Sequence, residues 1–89
     1  MTFTRKQYTV VAEAAKSTLE FTEKLRDLKV ITVEEAVERD LAVSYFTDHL
    51  IQSFKDDNSR FDEYKFKAVV YDNYGGSKDV VAASWNHLH

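Results

Sequence analysis

The chain has no cysteine, no proline and only two glycines, which stand side by side at Gly75 and Gly76. Without cysteine there is no disulfide framework and no thiolate metal site, which suits a reducing compartment. So few backbone breakers favour long regular elements joined by short connections. Long apolar runs are missing too: none exceeds four residues, a length reached at Ala68–Tyr71 and Val80–Ala83. That is far short of a membrane span or a signal-peptide core. The basic residues Arg5 and Lys6 near the N-terminus are followed by no such core. The expectation is a cytoplasmic protein with no membrane association.

What is present describes one small globular domain over residues 1–89, with 44% hydrophobic and 30% charged residues. Domains of this size often gain stability from a partner or from self-association. The net charge of −3 is unevenly spread. Residues 1–30 carry six basic and four acidic side chains, residues 31–57 two and seven, and residues 58–89 four of each. A duplex-binding protein concentrates Lys and Arg on one face. No such concentration is visible along the chain, so direct nucleic-acid binding is not expected.

Periodicity predicts a first helix over about 4–28. At about 100° per residue, Tyr8, Val10, Val11, Ala12, Ala14, Ala15, Leu19, Phe21, Leu25 and Leu28 share one broad arc. The opposite arc holds Lys16, Glu20 and Lys24 at the spacing of helical ion pairs. The apolar arc is wider than one neighbouring helix covers. It calls for two packing surfaces, either a second helix and a sheet or a second helix and another subunit.

Thr32 followed by Glu35 is a capping box, with Ile31 placed as its hydrophobic staple. A cap of this kind contributes about 1 kcal/mol. It starts a second helix over about 33–55, whose buried face carries Val33, Ala36, Val37, Val43, Leu50, Ile51 and Phe54, flanked by Leu41 and Phe46. The short connection makes the two helices an antiparallel hairpin. Beyond the polar break at 56–60 the pattern changes. Tyr64, Phe66, Ala68 and Val70 alternate with Lys65, Lys67, Val69 and Tyr71, which reads as a strand over about 64–72. The Gly75–Gly76 pair reads as a turn that needs a positive φ at glycine. A second strand over about 79–85 completes a β-hairpin, with a short helix as its competitor there. The expected fold is α+β, a helical hairpin packed on a C-terminal β-hairpin, and the alternative is an all-α bundle.

Few residues suggest chemistry. Asn73–Lys78 has the look of a phosphate loop, but the serine precedes the lysine and the first glycine is missing, so it reads as a turn. His49, His87 and His89 show no metal-ligand spacing, and neither a metal nor a cofactor is expected. Asp40, Ser44 and Asp48 form a polar strip at i, i+4 and i+8 within an apolar arc. One reading makes it a partner-binding or paired-carboxylate site. The favoured one is structural, with Asp40 paired to Arg39 or to a lysine of the first helix. Glu34, Glu35 and Glu38 suit the second helix's N-terminal dipole, whereas Asp56, Asp57, Asp62 and Glu63 are candidates for a negative surface facing a basic partner. Tyr71, Tyr74 and Trp85 are too many aromatics for so small a core and are candidate interface anchors.

With no nucleophile–base pair, activated acid or cofactor cradle legible, the chain is not expected to be an enzyme. The leading expectation is a protein-binding module acting through an acidic and aromatic surface. In general style, its size and mild acidity resemble the small inhibitors and regulators encoded by phages. The alternatives are a homo-oligomeric assembly protein joined through the wide apolar arc of the first helix, and a small-molecule binder using the Asp40, Ser44 and Asp48 strip.

Overall fold

The computed structural model describes residues 3–77 and Val80. Among these residues the chain forms three helices and no strand: α1 (Arg5–Asp27), α2 (Val33–Asp57) and α3 (Glu63–Val70). The α+β expectation is therefore corrected to its alternative, an all-α arrangement.

Caps set the helix starts. The Thr4 hydroxyl accepts from the Gln7 N–H at 3.2 Å while the Gln7 side chain accepts from the Thr4 N–H at 2.7 Å. Thr32 and Glu35 repeat this reciprocal box at the head of α2, both bonds at 3.0 Å. At the end of α1, the Lys29 N–H donates to the Arg26 carbonyl and the Val30 N–H to the Leu25 carbonyl, each at 2.9 Å. That is the Schellman pattern, but the left-handed position, at φ 62°, is held by Lys29 rather than glycine.

α1 packs against both α2 and α3, which together cover part of its apolar arc. Ala12, Leu19, Ile51, Phe54, Phe66 and Val70 form the core. Phe54 is its hub: its ring centroid lies 4.9 Å from Tyr8, 5.3 Å from Phe61 and 5.8 Å from Phe66, in tilted or edge-on contacts. Ala36 and Ile51 of α2 are buried as expected, whereas Val33 and Phe46 are exposed.

The expected strand at 64–72 is instead α3. Asp62 caps it by accepting from the Lys65 N–H at 3.0 Å. The residues it buries are Phe66, Lys67 and Val70, a helical spacing. Tyr64 and Ala68, which the alternation had placed on a buried strand face, are exposed. Of the expected strand at 79–85 only Val80 is described, and it is helical and buried; the rest lies outside the described residues. None of the helices described is long and apolar enough to cross a membrane.

The lysine at the Schellman position generates a stability prediction. Replacing Lys29 by glycine removes the side-chain clash of the left-handed conformation, so Lys29→Gly is expected to stabilise the chain by about 1 kcal/mol. Urea denaturation measures it, and an unchanged or lower midpoint contradicts the assignment.

Candidate functional site

The polar strip of α2 is not a surface. Asp40, Ser44 and Asp48 are all buried, each against a residue of α3 or of the turn after it. Asp48 Oδ1 lies 3.8 Å from Lys67 Nζ, Ser44 Oγ lies 2.7 Å from Tyr71 Oη, and Tyr74 Oη donates to Asp40 Oδ2 at 2.6 Å. The i, i+4, i+8 run on α2 thus meets 67, 71 and 74 running the opposite way, as the rungs of a ladder. The structural reading of the strip expected Asp40 to pair with Arg39 or with a lysine of the first helix. Its partner is the Tyr74 hydroxyl.

The ladder is enclosed, and its side chains respond to that. The side chains of Lys67 and Asp48 are 0% and 5% exposed. Burial pushes the Lys67 ammonium below its ordinary pKa, against the opposing pull of Asp48 and Glu63. Burial likewise pushes the Asp40 carboxyl up, more than the Tyr74 hydrogen bond and nearby Arg26 lower it. The Tyr74 phenol is raised, first by burial and then by donating to Asp40. A carboxyl and a phenol in contact, both perturbed, resemble a general acid–base pair. The crevice beside Tyr74, however, holds only about 10 Å³, space for about one water molecule.

The turn after α3 is clasped from two sides. Lys16 of α1 pairs with Asp72 at 3.1 Å rather than with Glu20, and the Arg26 guanidinium donates to the Gly75 carbonyl at 3.5 Å. Neither glycine has a positive φ, which corrects that expectation, and the pair lies close against neighbouring side chains. The positive φ, 55°, falls on Asn73, a residue type that tolerates it. A Cβ on Gly75 would strike the Glu23 carboxylate, and one on Gly76 would strike the Tyr74 hydroxyl and Asp40.

The remaining predicted residues do not converge on one site. Asp56 accepts from Gln52 at 3.0 Å, Glu63 pairs with Lys55 at 3.3 Å, and Asp62 is the α3 cap. Asp57 is exposed at the end of α2. Tyr71 and Tyr74 are half-buried, their rings edge-on at 5.9 Å within the ladder. Trp85 lies outside the described residues, as do His87 and His89, and His49 is exposed. No group of three or more potential metal ligands occurs among the described residues.

The free surface lies elsewhere. Val10, Ala14 and Phe21 of α1 and Leu28 at its C-cap are exposed, with Phe21 at 59% and Leu28 at 66%. Their separations of four, seven and seven residues put them on one line of the helix. The residues of α1 that meet α3 or its flanking loops, among them Arg5, Ala12, Lys16 and Leu19, lie on the other side. On α2, Phe46 is 61% exposed and likewise turns away from the ladder side, with half-buried Val43 and Leu50 beside it. The α1–α2 hairpin therefore has one face covered by α3 and another that presents two phenylalanines to solvent. Comparison with known proteins finds no matching family model, no matching curated protein and no matching solved structure.

Two predictions test the ladder. Lys67→Met leaves Asp48 buried without its ammonium and is expected to cost about 3–5 kcal/mol, most of it recovered when Asp48→Leu is added. Urea unfolding of the two single variants and the double variant reads both values. Tyr74 is expected to ionise later than an ordinary tyrosine of pKa 10.0. A raised folded-state pKa means this group's stabilisation is complete below the unfolded value and is lost as pH rises through the folded one. Absorbance at alkaline pH should therefore show a late step that coincides with unfolding and is absent in Tyr74→Phe.

Proposed function

We propose that the chain is a non-enzymatic, cytoplasmic protein-interaction module that assembles with a second copy of itself through the uncovered face of the α1–α2 hairpin. The observation that carries this reading is the line Val10, Ala14, Phe21 and Leu28, joined by Phe46 of the neighbouring helix, all exposed. Ala14, Phe21 and Leu28 recur every seven residues, the spacing that keeps one helix line facing a parallel or antiparallel partner. Together these side chains offer on the order of 500 Å² of apolar surface, near the upper end for a patch on a monomer. Two copies face to face would bury on the order of 1,000 Å², the lower bound for a specific interface.

Size supports the same conclusion, since a domain this short gains from association what its own core does not supply. The acidic residues favour self-assembly over capture of a basic partner, because Asp40, Asp48, Asp62 and Glu63 are engaged within the chain. The absence of cysteine supports the reducing compartment.

Sedimentation velocity over a concentration series tests the proposal. The expected result is a concentration-dependent dimer. Phe21→Glu should shift it to monomer with its helical circular dichroism intact, because Phe21 contributes little to the core. A wild-type chain that stays monomeric across the series, or a Phe21→Glu chain that dimerises equally well, overturns it.

A further inference from the structure

The side of α1 that faces α3 carries a different feature. Near its N-terminus, α1 and α3, with the connection from Asn58 to Asp62, enclose a half-open cleft of about 670 Å³. That volume lies within the range of small-molecule sites. Aromatic rings build much of the wall: Tyr8 and Phe61 meet edge-on at 4.8 Å, and Phe61 and Phe66 at 5.5 Å. The Tyr8 hydroxyl is buried and has no hydrogen-bond partner among the described residues.

The charged residues lining this cleft are Arg5, Arg60, Lys65 and Asp62. Among the described residues, none of the three cations forms an ion pair, as is also true of Lys6, Lys24, Lys29 and Arg39. Asp62 is occupied in accepting from the Lys65 N–H as the α3 cap. One of the cations also stands where folding disfavours it. Arg5 opens α1, whose first turn holds no acid, whereas Lys65 shares the first turn of α3 with Glu63 and the Asp62 cap. The N-terminal ends of helices carry partial positive charge, so a cation there is unfavourable. A chain of net charge −3 thus gathers three cations and one carboxylate around an aromatic-walled cleft. An anion would relieve the excess of positive charge there.

We infer that this cleft binds a small amphipathic anion: a carboxylate or phosphate head held by Arg5, Arg60 and Lys65, on an aromatic or branched apolar body packed against Tyr8, Phe61 and Phe66. Guanidinium groups suit such heads because their planar donor fork matches two oxygens at once. The rings supply the apolar contact that fixes orientation. The site is independent of the proposed self-assembly, because Phe21, Leu28 and Phe46 do not line it.

The test is a titration of the isotope-labelled full chain with 2-naphthoate, followed by amide chemical shifts, with the neutral 2-naphthamide as the paired probe. Naphthoate is expected to move the amides of Thr9, Phe61, Lys65 and Ala68 saturably. The neutral amide should bind at least ~10-fold more weakly, a difference of about 1.4 kcal/mol. The double variant Arg5→Gln/Arg60→Gln should lose at least as much affinity for naphthoate while its circular dichroism is unchanged. Ala68→Trp, at an exposed position of the rim, should block the cleft and provide a second loss of binding if the double variant unfolds. Equal binding of acid and amide overturns the inference, as do shifts that map to the Phe21 face or the absence of any saturable shift up to about 10 mM.

Discussion

The burial of the Lys67 ammonium against Asp48 is the constraint on which the rest of the arrangement depends. An ammonium and a carboxylate removed from water each carry a desolvation cost of several kcal/mol, which their mutual attraction helps to offset. Apolar contacts tolerate a small slide of one helix along another, but this pair does not. A one-residue rotation of α3 would leave a lysine and an aspartate buried and apart. The pair therefore fixes the rotation of α3, and the two hydroxyl rungs at Tyr71 and Tyr74 follow from it, four and seven residues on. With that edge turned to α2, Phe66 and Val70 face the core they share with α1. The net energy of such a pair is small, so its role is better described as setting register than as adding stability.

The molecule is accordingly divided along its length. One end is held by rings, with Phe3, Tyr8, Phe54, Phe61 and Phe66 in mutual contact. The other is held by the ladder and by the clasp of Lys16 and Arg26 on the turn after α3. Apolar packing at the first end is adaptable, which suits a cleft. Hydrogen bonding at the second is directional, and a Cβ on Gly76 would press on the Tyr74–Asp40 rung. Buried threonines extend the polar character inside the helices: Thr22 and Thr47 return their hydroxyls to the carbonyls four residues back, so they need no outside partner.

How much of this the sequence discloses depends on whether the deciding interaction is local. The two long helices were legible because their signals are local: an extended 3.6-residue period in each and the Thr32–Glu35 box. Thr4 and Gln7 form an equally local box that marks the start of α1. α3 was not legible, because over eight residues Tyr64, Phe66, Ala68 and Val70 satisfy a two-residue period as well as they would a helix. The residue that separates the two cases is Lys67, and a lysine announces itself as exposed. A signal did exist in the matching strips Asp40, Ser44, Asp48 and Lys67, Tyr71, Tyr74, but each strip is informative only beside the other. The glycine pair misled for a similar reason, since it lies close against Glu23 and Asp40, both distant in sequence.

The same distinction separates the parts of the surface that folding explains from those it does not. Glu63, Asp62 and Asp72 look like free acids in the sequence, yet each is engaged in a pair or a cap. Phe21, Leu28 and Phe46 look like core residues and yet contribute little to the core, while Arg5 stands against the α1 dipole with no acid in its turn and Lys65 lies at the cleft without an ion pair among the described residues. Removing any of these five would leave the ladder and the aromatic cluster in place. Stability gives no reason for a phenylalanine at 21 or 46 rather than a polar residue, and it weighs against a cation at 5. Residues that a fold tolerates but does not use are the places where a requirement other than folding is visible. Here they sort by chemistry onto two sides of α1, apolar on the outer side and cationic with aromatic walls on the side of α3. A single helix of 23 residues with its C-cap thus carries most of both surfaces while the ladder, under neither of them, holds the fold.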